Sequence, residues 1–179
     1  MNAVHRRIIL GFFTDIWADR SKETVSHWCE NNLRFDEPEN SGPFSLAGRD
    51  YIREPLDSYA DSRISDMVLV FGSQAGKTAL MMGGNAWLCI NNPARILWVM
   101  ANENQAKDFS TTRWQTMLKA SDVFKDRIPR GARRHDFAKL TQLIGSSIIN
   151  FHGSNSPSNL ASKPASVVVQ DEVDKFSDG

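Results

Sequence analysis

The stretch Phe71-Gly72-Ser73-Gln74-Ala75-Gly76-Lys77-Thr78 decides the fold class of this chain. It follows the apolar run of residues 67–70 and precedes a predicted helix. Small residues in such a loop let backbone N–H groups wrap closely around phosphate oxygens above a helix N-terminus. Lys77 can then supply a cation for the β- and γ-phosphates of a nucleotide, and Thr78 a hydroxyl for the accompanying Mg²⁺. The sequence therefore predicts a phosphate-binding loop, whose nucleotide contacts come from Gly72, Ser73, Gln74, Ala75, Gly76, Lys77 and Thr78.

The loop departs from the usual G-x-x-x-x-G-K-[ST] spacing at one position. Phe71 stands where the first glycine is expected, and Gly72 is displaced by one residue. Taken alone, the segment is also consistent with an ordinary strand-to-helix turn that contains glycine and an exposed Lys77.

A second motif, Val167-Val168-Val169-Gln170-Asp171-Glu172, is a β-branched run that ends in two acids. It fits a buried parallel strand that delivers carboxylates at its C-terminal edge. Asp171 would then hold Mg²⁺ through water, and Glu172 would orient or deprotonate an attacking water. The alternative is that the acids cap a following helix. The two motifs, in this order and ~90 residues apart, favour an ATPase of the phosphate-loop class, with ATP and Mg²⁺ as cofactors.

Composition limits the other possibilities. A chain of 179 residues with 41% hydrophobic content can bury one good-sized core. Its 21 basic and 21 acidic side chains cancel, so no global positive field attracts nucleic acid. A local basic cluster could contact a phosphate backbone, although a solvated loop is the alternative. The cluster consists of Arg127, Arg130, Arg133, Arg134 and Lys139.

The cysteines and the apolar runs indicate the compartment. Cys29 and Cys89 lie in apolar helical contexts without metal-ligand spacing, which predicts buried thiols in a reducing environment. No signal peptide or transmembrane run is recognisable, so we expect a cytoplasmic location and no membrane partner. The four histidines are scattered, and no metal beyond Mg²⁺ is expected.

Hydrophobic periodicity predicts an alternation of strands and helices, which is typical of a parallel α/β sheet. We expect a three-layer phosphate-loop NTPase fold with a mainly parallel sheet, preceded by N-terminal helices. Residues 1–40 are predicted to be a helical segment and linker, and residues 41–179 an incomplete ATPase domain truncated at its C-terminus. The predicted elements are strands at 67–71, 96–100 and 167–170, helices at 51–60, 77–90 and 102–118, paired strands at 140–144 and 147–152, amphipathic helices within 4–32, and a loop at 36–48.

Several segments together resemble the large terminase subunit of lambda-type tailed phages. They are Val25-Ser26-His27-Trp28, Tyr51-Ile52-Arg53-Glu54, the loop ending Gln74-Ala75-Gly76-Lys77-Thr78, and Gly153-Ser154-Asn155-Ser156-Pro157-Ser158-Asn159-Leu160-Ala161-Ser162-Lys163-Pro164 before Asp171-Glu172-Val173-Asp174. The last pair of segments is the most specific, because order and spacing match as well as residue type.

The resemblance implies a motor that hydrolyses ATP to drive viral double-stranded DNA into a procapsid through its portal. It also implies a small terminase subunit as partner and a homo-oligomer when complete. In that family a nuclease domain follows the ATPase domain; the segments that resemble the family here belong to the ATPase part, so nuclease activity is not expected of this chain.

The resemblance also assigns roles to individual residues. Gly76, Lys77 and Thr78 would contact phosphate and Mg²⁺, Asp171 would be the metal-binding acid, and Glu172 the catalytic acid. Tyr51 falls where the family places an adenine-contacting aromatic, although a tyrosine on an amphipathic helix can equally be core. Relatives often carry a basic residue where this chain has Phe71, so any charge-stabilising role at that position is in doubt.

An ATPase of this kind also needs an arginine to neutralise charge at the γ-phosphate; the candidates include Arg113, Arg127 and Lys163, and the sequence does not choose between them. Two other functions stay open from the sequence. One is a superfamily-2 helicase-like DNA translocase, and the other is a truncated nucleotide-binding scaffold without turnover.

Overall fold

The computed structural model describes residues 23–37, 40–129, 137–155 and 164–176. The amphipathic pattern before residue 23 lies outside these ranges, as do Arg130, Arg133, Arg134 and Lys163. The helices are α1 (Val25–Asn32), α2 (Arg53–Asp57), α3 (Lys77–Asn91), α4 (Glu103–Asp108) and α5 (Gln115–Ala120). The strands are β1 (Arg34–Glu37), β2 (Asn40–Pro43), β3 (Arg95–Met100), β4 (Thr141–Ile144), β5 (Ser147–Gly153) and β6 (Val167–Gln170).

The main sheet has the strand order β4-β5-β3-β6. Strand β3 runs parallel to both neighbours and places Trp98 opposite Phe151 and Val169. Strand β4 pairs with β5 in antiparallel fashion through a turn at Gly145, whose φ of 58° suits glycine. The predicted strands at 96–100 and 167–170 and the predicted pairing near 140–152 are confirmed. The sheet is mixed: β3, β5 and β6 are parallel to one another, and β4 is antiparallel to β5, because a two-residue turn can join only antiparallel neighbours.

Residues 36–48, predicted to be a loop, contain part of a β-hairpin formed by β1 and β2. Phe35 lies opposite Gly42, and the Phe35 and Phe44 rings pack with centroids 5.8 Å apart. Both rings are buried in the core. The loop prediction was wrong because it rested on the polar and glycine-rich composition of the segment. The two flanking phenylalanines, whose burial stabilises the hairpin, were not taken into account.

Among the described helices, α3 has the largest number of buried residues, and it confirms the prediction at 77–90. Its two internal glycines disfavour a helix by propensity, but the packing explains them. A Cβ atom at Gly84 would lie 2.4 Å from the Tyr59 ring, and one at Gly83 would lie 3.1 Å from the Cys29 Sγ atom. The glycines therefore let α1 and the residues after α2 approach the helix closely. Cys29 and Cys89 are free and buried, as predicted.

The predicted helix at 102–118 is present as α4 and α5, joined by a π-helical segment, Phe109–Trp114. The Asn102 side chain accepts a hydrogen bond from the Gln105 N–H and caps α4. The Phe109 and Trp114 rings of this π-helical segment pack against the Trp98 ring, at centroid distances of 4.8 and 5.8 Å. This aromatic cluster fixes the helix against β3.

The predicted strand at 67–71 does not form. Residues 64–72 adopt neither helix nor strand, although their apolar side chains alternate in exposure: Leu69 and Phe71 are half-buried, whereas Val68 is 86% and Val70 91% exposed. A strand needs a hydrogen-bonded neighbour, and β6, the edge of the described sheet, pairs only with β3. For the same reason β6 is less buried than expected: Val169 is in the core but Val168 is exposed.

The three-layer arrangement and the division of the chain at 40/41 stay predictions. The buried residues of α1, α3 and the main sheet form one hydrophobic cluster.

Candidate functional site

The phosphate loop turns sharply into α3. Gln74 and Gly76 have positive φ values of 57° and 85°, and the Leu80 N–H donates to the Gly76 carbonyl at 3.0 Å to begin the helix. A Cβ atom at Gly76 would lie 2.8 Å from the Ile52 Cδ1 atom. Only glycine satisfies both the conformation and the close approach. Residues 72–74 are exposed above the N-terminus of a 15-residue helix, where an anion is favoured.

Lys77, the first residue of α3, meets the end of β6. Its Nζ atom lies 2.9 Å from Oδ1 of Asp171, whose side chain is only 4% exposed. The Asp171 N–H donates to the Val99 carbonyl at 3.0 Å, which holds this acid beside the carboxyl end of β3. The fold therefore joins the two motifs that the sequence placed far apart, and it does so through an ion pair.

The same Asp171 oxygen accepts no hydrogen bond in the described residues, because the Lys77 contact is not aligned as one. A buried carboxylate oxygen with no aligned donor fits a metal ion or a metal-bound water. Thr78 lies in the first turn of α3, next to Lys77, and is half-buried. The donor set present is consequently compatible with Mg²⁺.

Glu172 is held differently from its neighbour. Its backbone is left-handed, with φ 55° and ψ 51°, and its Oε2 atom lies 2.8 Å from Nζ of Lys175. Hydrogen bonding to the Glu172 carboxylate raises the pKa of Lys175. The sequence reasoning missed Lys175, although a 3₁₀ turn over 173–175 brings residues three apart together, and Glu172 to Lys175 has that spacing.

Tyr51 lies against the phosphate loop. Its hydroxyl donates to the Ala75 carbonyl at 3.0 Å, and its ring centroid is 6.0 Å from that of Phe71 at an interplanar angle of 47°. Tyr51 is 54% exposed, so it is not a core residue. The fold thus brings together Tyr51, the loop, Lys77 and Asp171.

Among the predicted basic residues that the structure describes, Arg127 lies far from this site. The Arg127 carbonyl accepts from the Gly145 N–H at 2.9 Å, at the turn where β5 begins. Strand β5 has seven residues and runs parallel to β3, which in turn runs parallel to β6. Arg127 lies near the N-terminal end of β5, and Asp171 follows the C-terminal end of β6. The two residues therefore lie at opposite ends of the strands, on the order of 20 Å apart. Arg113 lies in the π-helical segment. Lys139 is exposed near the start of β4.

An α/β fold in which a sheet strand delivers a buried acid to the lysine of a glycine-containing loop, at a helix N-terminus, defines a protein suited to binding a phosphate ligand. The comparison with protein families narrows this class. A family model described as phage terminase large subunit gpA, ATPase domain, matches residues 39–179, and the chain belongs to this family.

Family membership confirms the resemblance predicted from the sequence. It implies binding and hydrolysis of ATP in phage DNA packaging. Neither a curated protein nor a solved structure matches the chain. Among the described helices, none is both long and apolar enough to cross a membrane.

Proposed function

We propose that this chain hydrolyses ATP at the loop of residues 72–78 and thereby powers the translocation of viral double-stranded DNA into a procapsid. The observation that carries this proposal is the 2.9 Å contact between Lys77 and the buried Asp171. A turn that merely contained glycine would have no need to place its lysine on a buried acid. Membership of the terminase ATPase family supports ATP hydrolysis as the reaction and DNA packaging as the process that it powers.

The loop and Lys77 bind the triphosphate. The backbone N–H groups of residues 72–76 and the N-terminus of α3 attract the β- and γ-phosphates. Lys77 transfers its ammonium contact from Asp171 to phosphate oxygens, where negative charge develops during the reaction. Its ammonium group rests 2.9 Å from Asp171, so this ion pair is exchanged for phosphate oxygens when the nucleotide arrives.

Asp171 and Thr78 are the residues that would hold Mg²⁺. When bound, this ion neutralises charge on the phosphate oxygens. The burial of Asp171 keeps its carboxylate in one orientation, fixed by the Val99 carbonyl through the backbone. Tyr51 is proposed to contact the adenine base from the exposed part of its ring.

Glu172 is the proposed general base. It takes a proton from the attacking water while the new bond to the γ-phosphorus forms and the bond from that phosphorus to the bridging oxygen breaks, releasing ADP. The contact with Lys175 occupies this carboxylate in the nucleotide-free chain. Glu172 must therefore exchange Lys175 for the water before the proton can move.

The arginine at the γ-phosphate is proposed to come from a neighbouring copy of the chain in a homo-oligomer. The position of Arg127 at the far edge of the sheet supports this arrangement, because it cannot reach the loop of its own chain. Double-stranded DNA, the portal and the small terminase subunit are the further proposed partners, in the host cytoplasm.

Steady-state ATP hydrolysis by the purified chain tests the proposal. We expect Lys77→Ala and Glu172→Gln each to lower kcat by a factor of 10² or more. Lys125→Ala and Glu54→Gln are the matched controls, because both side chains are exposed and lie outside the site. Turnover that survives Lys77→Ala and Glu172→Gln would place the reaction elsewhere. Nucleotide binding without turnover by the unaltered chain would favour the scaffold.

A further inference from the structure

Tyr51 contacts the chain on either side of the exposed loop residues 72–74. Its ring packs 6.0 Å from the Phe71 ring, one residue before the loop, and its hydroxyl donates to the carbonyl of Ala75, one residue before the Gly76 cap. The intervening residues 72–74 are exposed. A single side chain therefore spans the exposed part of the loop.

The loop has few other restraints on its N-terminal side. The preceding residues 64–72 form no strand, so no ladder of hydrogen bonds holds Phe71 in place. Within the loop, the Ala75 N–H to Gly72 carbonyl contact is long, at 3.4 Å. Two residues, Gln74 and Gly76, also have positive φ. A non-glycine residue such as Gln74 holds a left-handed conformation only where its surroundings fix it.

We propose that Tyr51 is a positioning residue that holds the phosphate loop in its binding conformation through the Ala75 carbonyl and the Phe71 ring. This role differs from contact with the adenine base, because it acts on the phosphate-binding backbone. It also gives Phe71 a function in this chain: the ring supplies the surface on which Tyr51 rests. The inference rests on the proposed nucleotide site at residues 72–78.

The two roles of Tyr51 separate when the ligand has no base. Inorganic tripolyphosphate can occupy the loop but offers nothing for an aromatic ring to stack on. If Tyr51 holds the loop, removing its hydroxyl lowers the affinity for tripolyphosphate and the affinity for ATP by the same factor. If Tyr51 only contacts the base, tripolyphosphate binding is insensitive to every change at this position.

The experiment is isothermal titration calorimetry of Mg-tripolyphosphate and of Mg-ATP, with the unaltered chain and with Tyr51→Phe, Tyr51→Leu and Tyr59→Phe. Tyr59→Phe is the matched control, because Tyr59 is the only other tyrosine of the chain and packs on α3. We expect Tyr51→Phe to lower the affinity for both ligands about three- to tenfold, the effect of one hydrogen bond of ordinary net strength. Tyr51→Leu should lower both affinities further, and Tyr59→Phe should change neither affinity. Thermal unfolding of each variant confirms that the chain remains folded.

Two results would overturn the proposal. Unchanged tripolyphosphate affinity in both Tyr51→Phe and Tyr51→Leu, together with weakened ATP binding in Tyr51→Leu, would leave only the base contact. A fall in tripolyphosphate affinity in Tyr59→Phe as large as in Tyr51→Phe would mean a general loss of structure. If the unaltered chain binds neither ligand, the proposed nucleotide site itself fails, which is a distinct outcome.

Discussion

The phosphate loop joins two regions that differ sharply in how the chain holds them. On its C-terminal side, helix α3 buries residues such as Leu80 and Met82 completely. On its N-terminal side lies the approach segment, residues 64–72, in which Val68 and Val70 are almost fully exposed. Both regions are apolar in sequence, but the approach segment packs against the core only through Leu69 and Phe71, whereas most residues of the helix are buried.

This difference in burial shows which side of the loop is held by packing. Helix α3 carries Lys77 and Thr78 and packs against α1 and α2 within the hydrophobic core. The approach segment contributes only the half-buried faces of Leu69 and Phe71. The loop is therefore anchored from the helix, and its upstream end depends on Tyr51 and Phe71.

The largest expected effect comes from truncating one apolar side chain on each side. Met82→Ala should lower the free energy of unfolding by about 2–5 kcal/mol, because it leaves a cavity under a fully buried side chain. Val70→Ala should change it by no more than about 0.5 kcal/mol, since the side chain is 91% exposed. Urea-induced unfolding followed by circular dichroism measures both. Equal losses from the two variants would remove the contrast between the regions.

A second prediction concerns Tyr59, which packs on the helix side against Gly84. Burial raises the pKa of Tyr59 to about 12, against a smaller lowering by its hydrogen bond with Asn85. The folded chain thus favours the neutral phenol. The corresponding stability is fully present below the ordinary pKa of 10.0 and is lost as the pH rises through about 12.

In Tyr51→Phe the remaining tyrosine is Tyr59, so the ultraviolet absorbance of phenolate reports this residue alone. We expect a titration midpoint near pH 12, or unfolding at about that pH if ionisation breaks the packing. The unfolded chain in concentrated urea is the control and should titrate near pH 10. A midpoint near 10 in the folded variant would mean that the helix side is more open than its packing indicates.

The contrast between the two regions also explains which predictions succeeded. Helix α3 and strand β3 were predicted correctly because their apolar patterns and end signals are local in the sequence. Gly76 before the helix and Pro93 after it are examples of such end signals. The strand expected at 67–71 has an equally apolar pattern, but strand formation depends on a hydrogen-bonded partner that residue types do not specify. The hairpin of β1 and β2 was missed because two phenylalanines outweigh the turn-forming residues around them.

At the candidate site, residue types pointed to Lys77, Asp171 and Glu172 because phosphate and metal chemistry demand them. The contacts between them could not be read from the sequence. The pairing of Lys77 with Asp171 depends on how β6 is placed, and that of Tyr51 with Ala75 on how the residues before α2 cross the loop. The ion pair of Glu172 with Lys175 is local and was predictable in principle from its spacing.

The smallest expected effect lies just before the approach segment, where Asp61 and Arg63 form an exposed ion pair at 2.7 Å. Hydrogen bonds from the Arg63 side chain and backbone lower the pKa of Asp61 to about 2. Because the folded value is depressed, the associated stability is present above the ordinary value of 3.8 and is lost as the pH falls through about 2. An exposed pair of this kind is screened by salt and contributes little to overall stability.

Nuclear magnetic resonance titration of the Asp61 carboxyl, with and without Arg63→Gln, tests this last difference. We expect the pKa to return most of the way to 3.8 in the variant and to rise partly in the unaltered chain at high salt. The thermal unfolding midpoint at neutral pH should stay the same, because the Asp61–Arg63 pair is exposed and lies outside the hydrophobic core that holds α3. If Arg63→Gln instead lowers that midpoint by as much as Met82→Ala does, the upstream side of the loop is anchored through Arg63, and the asymmetry drawn between the two regions is wrong.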